Sequence, residues 1–344
     1  MVQAGFVTGS LFSAFLNLAD RIAPPMIFLW AACLAEVSTI LTAAAADTYS
    51  AALCIRFVTG FALSGVYGPG LKLISSWFRI RRGMALGIIV GSLTFGSASP
   101  HLFYGFGLPS WETVLWLAGT ASICSGLLVF ITLSTGPYFL PSGKFDPRAI
   151  PRAFRYMPVR LANFGYFGHS WELYGMWTWI GTFLFQSFNE RSLPHSSLLS
   201  SSLTFAIIGS GFFGAWAGGV IADRFGREQV TIWSLAISGT ISLLIGFFYG
   251  GPPWLLGLLG VIWGFSIIAD SAQFSALVTK HADQKYVGSV LTFQLAAGFA
   301  ITMIIILLVP LTAEVIGWQF VFLILLPGPV LGLLSMVKLK KEGS

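Results

Sequence analysis

Glu172 and His169 stand one helical turn apart in a run that is otherwise apolar and aromatic, with Tyr166, Phe167, Trp171, Tyr174, Trp177 and Trp179 around them. An acid and an imidazole at i and i+3 share one helix face, and together they can bind and pass a proton. Two readings stand: a protonatable site that also walls a substrate cavity, or a His–Glu hydrogen bond that only ties helices together. Glu36 and Arg56 interrupt two further apolar runs. At ~1.5 Å per residue and a ~30 Å hydrocarbon core they lie about 16 and 18 Å from one edge, a matched depth that predicts an ion pair, either coupling or structural. Asp270, about 6 Å from that edge on the same scale, is a gate residue or an acid snorkelling to water. Asn163, Gln186, Gln273 and Gln294 complete the polar candidates for a substrate. The four histidines, His101, His169, His195 and His281, lack metal-ligand spacing, so no metal is expected. No Gly-x-x-x-x-Gly-Lys-Ser/Thr loop and no Gly-x-Ser-x-Gly elbow occurs. ATP, other cofactors and enzyme activity are therefore not expected.

The elements that must position these groups follow from composition. The 344 residues are 56% hydrophobic and 9% charged, with mean hydropathy +0.81. A soluble chain carries about 25% charged residues, so a water-soluble domain is excluded. Continuous apolar runs, rather than short alternating ones, exclude a membrane β-barrel. The runs read as eleven helical spans, near 1–18, 25–45, 49–73, 83–106, 111–135, 160–188, 198–221, 229–250, 254–279, 286–311 and 315–337. Gly83, Gly87 and Gly91, and again Gly214 and Gly218, repeat every fourth residue, a spacing that lets membrane helices approach closely. Cys33, Cys54 and Cys124 all lie inside apolar runs and suggest no disulfide framework.

Direction comes from charge. Seventeen of the 19 Lys and Arg fall in alternate loops or the C-terminal tail, leaving only Arg56 and Arg191 elsewhere. Positive charge collects on the cytoplasmic side, so the C-terminus is expected there, in an inner or plasma membrane. The net charge of +6 thus marks orientation, and nucleic acid is not an expected partner. Eleven spans with a cytoplasmic C-terminus place Met1 outside. The chain is either a natural odd-span protein or one read without its first helix.

The longest polar stretch, 136–159, holds five prolines and separates five spans (1–135) from six (160–344). Arg148, Arg152 and Arg155 repeat at helical spacing, with Ile150, Phe154 and Met157 offset by two. This is an interfacial helix on anionic headgroups or a solvated linker. The two parts share a turn: Ala19-Asp20-Arg21 and Ala222-Asp223-Arg224, 203 residues apart. Parallel repeats of this kind mark one large class of transporters.

The second turn continues as Gly219-Val220-Ile221-Ala222-Asp223-Arg224-Phe225-Gly226-Arg227. It resembles the Gly-x-x-x-Asp-Arg-x-Gly-Arg signature of the major facilitator superfamily, and the likeness extends over essentially the whole chain. The first copy is degenerate, with Leu16 for the glycine and Ala23-Pro24-Pro25 for Gly-Arg-Arg. Arg56-Phe57-Val58-Thr59-Gly60 matches a second family feature, in what would be the family's fourth helix. The resemblance implies an all-α membrane fold of two helical bundles, normally twelve helices in two sixes. Restoring one helix before Met1 repairs count and parity together. It also implies that the 160–188 span lines a central cavity and that an Arg at position 56 accompanies proton coupling. The run from Gly168 to Trp177 is similar to a branch near the nitrate and cyanate porters. Nitrate itself is disfavoured, because the 1–18 and 198–221 spans lack the arginines that nitrate porters place there.

The expected function is secondary active transport of a small solute or organic anion by alternating access, with protons as coupling ion. Glu172, His169, Glu36 and Arg56 are the coupling candidates. Tyr166, Tyr174, Trp177, Asn163, Gln273 and Gln294 are the cavity candidates. Asp20, Arg21, Gly219, Asp223, Arg224, Gly226, Arg227 and Asp270 form the signature turns and gate. The alternatives are a non-transporting membrane sensor or assembly subunit, and an inactive truncated transporter.

Overall fold

Inside a bilayer every backbone N–H and C=O needs an internal partner, which leaves helices as the solution for apolar runs of this length. The computed structural model describes residues 1–45, 48–78, 82–105, 110–139 and 145–343, and they hold helices and no strand. Arg79, Arg81 and Lys144 of the basic loops, with 140–144 of the central stretch, lie outside the described residues. The helices are α1 (Val2–Leu16), α2 (Leu18–Arg21), α3 (Pro24–Ala45), α4 (Tyr49–Ser75), α5 (Arg82–Gly105), α6 (Trp111–Thr132), α7 (Ala149–Arg155), α8 (Met157–Glu190), α9 (Ser196–Gly209), α10 (Gly211–Phe225), α11 (Arg227–Leu244), α12 (Pro253–Ala269), α13 (Ser271–His281), α14 (Val287–Ile316) and α15 (Pro327–Gly343).

Nine helical stretches among the described residues are long and apolar enough to cross a membrane, where the sequence predicts eleven. The two others fall short for different reasons. Helix α1 has 15 residues, because Asn17 takes a left-handed conformation (φ 53°) and ends it, and about 22 Å of helix is less than a hydrocarbon core. Helix α8 has 34 residues, ample length, but Asn163, His169, Glu172 and its other polar side chains dilute its hydropathy. Nine such stretches make this a multi-pass membrane protein.

The chain divides into two compact units. The first comprises Met1–Leu86, Pro109–Ala153 and Ala282–Ala300. In it α1 lies against α4 with almost no side chain between them: a Cβ on Gly5 would fall 1.9 Å from Phe57 O, and one on Gly60 1.8 Å from Val2 O. Helix α3 packs on both α4 and α6, joined to α4 by the Thr59 hydroxyl donating to Ser38 Oγ at 2.9 Å. Arg148 and Arg152 of the α7 region are exposed and Ile150 is half-buried; in the second unit, Arg155 is exposed and Phe154 and Met157 are half-buried.

The second unit comprises Gly87–Leu108, Phe154–His281 and Ile301–Ser344. Helix α8 runs through it, touching α15 where Gly168 meets Gly328 O. The predicted glycine seam is present. A Cβ on Gly214 would fall 2.1 Å from Phe265 O and one on Gly218 2.0 Å from Ala269 O, so α10 and α12 are in backbone contact. Gly264 returns the favour from α12, 1.8 Å from Ile207 O by the same measure. Gly87 and Gly91 of α5 face Ala215 O and Phe212 O of α10.

Candidate functional site: a buried acid cluster in the second unit

Glu172 lies at the middle of α8 and is 0% exposed. Both its oxygens are engaged. Oε2 accepts from the Ser238 hydroxyl of α11 at 2.8 Å, and Oε1 from the Trp263 indole N–H of α12 at 2.8 Å. Ser238 is also 3.4 Å from Leu235 O, one turn back on α11. Trp263 is fully buried, its ring edge-on to Phe322 at 5.1 Å. Three helices thus meet at one carboxyl group, with two neutral donors and no cation bonded to it among the described residues.

One turn toward the start of α8, His169 does not bond Glu172 as the sequence suggests. It presents Nδ1 to Asp270 Oδ1 at 3.0 Å, off the line of a good hydrogen bond. Asp270 is 1% exposed, which does not fit the second of its two readings, an acid snorkelling to water. It sits where α12 breaks and α13 begins, its carbonyl accepting from Gln273 N at 2.8 Å. Tyr166 and Phe274 close around the imidazole at ring distances of 6.1 and 5.5 Å. Two acids and one histidine therefore share a buried compartment. Glu172 lies within electrostatic reach of Asp270.

The other candidates scatter. Glu36 is buried in the first unit, but no ion pair joins it to Arg56 among the described residues. Its carboxylate rests over Gly119 of α6, where an added Cβ would fall 2.0 Å from Oε2. Matched depth on α3 and α4 did not put the two side chains on facing sides. Gln273 is turned to the signature turn, accepting from Arg227 Nη1 at 2.9 Å. Asn163 donates to Val159 O at 2.8 Å, leaving its Oδ1 buried with no partner among the described residues, and the Trp177 N–H is in the same state beside Tyr174. Gln294 is buried in α14.

The signature turns are built for specific reasons. Gly226 joins α10 to α11 at φ +90° and ψ 150°, a conformation nearly closed to other residues. Gly219 is buried, while Asp223 and Arg224 are exposed, Arg224 lying over the Phe225 ring at 5.2 Å. Next to them the first turn of α11 ties down its neighbours: Arg227 holds Gln273, and Glu228 accepts from Lys280 at 2.8 Å. In the degenerate copy Asp20 takes Lys72 of α4, and Arg21 is exposed. Sequence reasoning missed Ser238, Trp263 and the Asp20–Lys72 pair. A serine amid apolar residues on α11 was the available signal for the first.

The profile of the Major Facilitator Superfamily matches residues 1–300, and the chain belongs to this superfamily. A gentisate transporter of Corynebacterium glutamicum is 30% identical over 141 residues, covering 39% of this chain and 31% of the relative. A probable chloroplastic anion transporter of Arabidopsis thaliana is 34% identical over 102 residues, 28% of this chain and 20% of that one. The MFS-type transporter opdF of Penicillium oxalicum is 24% identical over 301 residues, 85% of this chain and 67% of its own. The chain thus spans less than a third of the length of the first two of these relatives.

Proposed function

We propose that the protein is a secondary active transporter of a small organic anion, driven by protons and operating by alternating access in an inner or plasma membrane with its C-terminus cytoplasmic. The observation that carries this reading is the cluster of Glu172, Asp270 and His169 inside the second unit. Two acids in the membrane interior with one histidine, and no Lys or Arg paired with them among the described residues, are costly as architecture. A group whose charge changes with its surroundings gives that cost a use: proton occupancy then follows conformation, as coupling requires. Asn163 Oδ1 and Trp177 Nε1, a buried acceptor and donor without partners among the described residues, are the groups we assign to substrate, with Tyr166 and Tyr174 as aromatic wall. Glu36 and Arg56 are secondary coupling candidates. The relatives named for gentisate and for anions favour an aromatic or other small carboxylate over a sugar or a cation. Arg148, Arg152 and Arg155 would hold α7 to anionic headgroups. The test is uptake of labelled gentisate and related benzoates by proteoliposomes under an inward pH gradient. Accumulation that collapses with an uncoupler supports the reading; accumulation indifferent to it rejects proton coupling.

A further inference from the structure

Glu172 is held in a cage that accommodates it in both charge states. We infer that Ser238 is a hydroxyl switch and Trp263 a fixed donor, together positioning Glu172 to take up and release a proton without moving its carboxyl group. The inference rests on the reading of Glu172 as a coupling group and adds the two residues that set its chemistry.

The argument is one of donors and acceptors. With the carboxylate ionised, both oxygens must accept, and the two contacts at 2.8 Å supply one donor each. When a proton from water bonds to Oε2, that oxygen becomes a donor and its partner must become an acceptor. A hydroxyl can be either. Ser238 has a second acceptor for its own hydrogen in Leu235 O at 3.4 Å, so its O–H turns there while Oγ accepts from Oε2–H. The indole N–H cannot reverse, being a donor only. It stays on Oε1, which is the carbonyl oxygen of the acid, and so fixes which oxygen is protonated. One proton is gained, one hydrogen bond reverses, and no buried polar group of the cage is left unpaired in either state.

The surroundings leave this switch the local response. Helix α11 carries no ionisable side chain from Gln229 to Leu244, and α12 none from Pro253 to Ala269. Among the described residues, His169 on α8 and Asp270 at the α12–α13 junction face each other nearby, with the Tyr166 ring 6.1 Å from the imidazole. A full positive charge next to Glu172 would fix it as a carboxylate, whereas two neutral donors allow either form.

The test is acid-minus-alkaline infrared difference spectroscopy on the purified full chain in lipid nanodiscs, which needs no substrate. A protonated carboxyl shows a C=O stretch that its carboxylate lacks. The wild type is expected to give such a band, lost in Glu172→Gln. In Ser238→Ala the band should move to higher wavenumber, because the acid O–H loses its acceptor, and Ser238→Thr, which retains a hydroxyl, should restore the wild-type position. Trp263→Phe should raise it independently by freeing the carbonyl oxygen. A Glu172 band that stays in place in Ser238→Ala and in Trp263→Phe overturns the switch alone. Carboxyl bands unchanged in Glu172→Gln show that Glu172 does not titrate, and then both the switch and the coupling role fall. Ser238→Thr also guards against misfolding, since a Thr variant that folds but shows the Ala position contradicts the switch.

Discussion

Substituting Gly264 by alanine would set a methyl group 1.8 Å from Ile207 O, against a carbonyl fixed within α9. Ordinary contact begins at 3.4 Å, so α12 must retreat by about 1.6 Å. The same reasoning applies to Gly218, 2.0 Å from Ala269 O. Overpacking of this kind costs roughly 1–3 kcal/mol, and a rigid backbone obstacle belongs at the upper end. The better helix propensity of alanine returns about 1 kcal/mol. A net loss of about 2 kcal/mol per site follows. Gly96 on α5 is the control, because nothing described lies within 4 Å of its added Cβ and only the propensity gain remains. Thermal unfolding of the purified protein in detergent, followed by far-UV circular dichroism, reads the difference. At roughly 2–4 °C per kcal/mol, Gly264→Ala should melt about 4–8 °C below wild type, and Gly96→Ala at or slightly above it. If Gly264→Ala melts no lower than Gly96→Ala, the backbone seam between α9 and α12 is not as described.

Three further outcomes are expected. His169→Leu removes the polar group facing Asp270 in an apolar site and should cost about 1–3 kcal/mol, while the double variant with Asp270→Leu should recover much of it in a denaturation-based mutant cycle. Gly226→Ala forces a side chain into a backbone region reserved for glycine, at a cost on the order of 1–3 kcal/mol, seen as a lowered melting temperature. Just past the end of the membrane-length stretch Arg227–Phe248, burial and the Glu190 carboxylate push Tyr249 up to about 12 from an ordinary 10.0. Its neutral form is therefore favoured in the fold, so stability present below pH 10 is lost as pH rises toward 12, and Tyr249→Phe should flatten that alkaline limb in a pH-melt series.

The helices were legible because a bilayer allows few alternatives: a run of about 20 apolar residues must be a helix. Glycine spacing was legible too, since Gly214 and Gly218 lie on one face and only a close neighbour explains that. What failed was azimuth. Counting residues gives depth along a helix but not the direction a side chain points relative to another helix. Glu36 and Arg56 were assigned one depth and form no ion pair among the described residues, while His169 finds Asp270, 101 residues away, on another helix. Trp263 read as an ordinary membrane aromatic, since nothing local shows that its N–H meets an acid 91 residues earlier.

The most direct test of proton-coupled transport is a pair of assays on Glu172→Gln in proteoliposomes, with whichever benzoate the wild type accumulates. Glutamine retains the shape of the side chain and an acceptor for Trp263 but carries no exchangeable charge. Exchange of labelled for unlabelled substrate at equal concentrations should persist, because both faces can still open with substrate bound. Accumulation driven by a pH gradient should be abolished. If Glu172→Gln accumulates substrate as the wild type does, Glu172 is structural and the coupling proton is carried elsewhere.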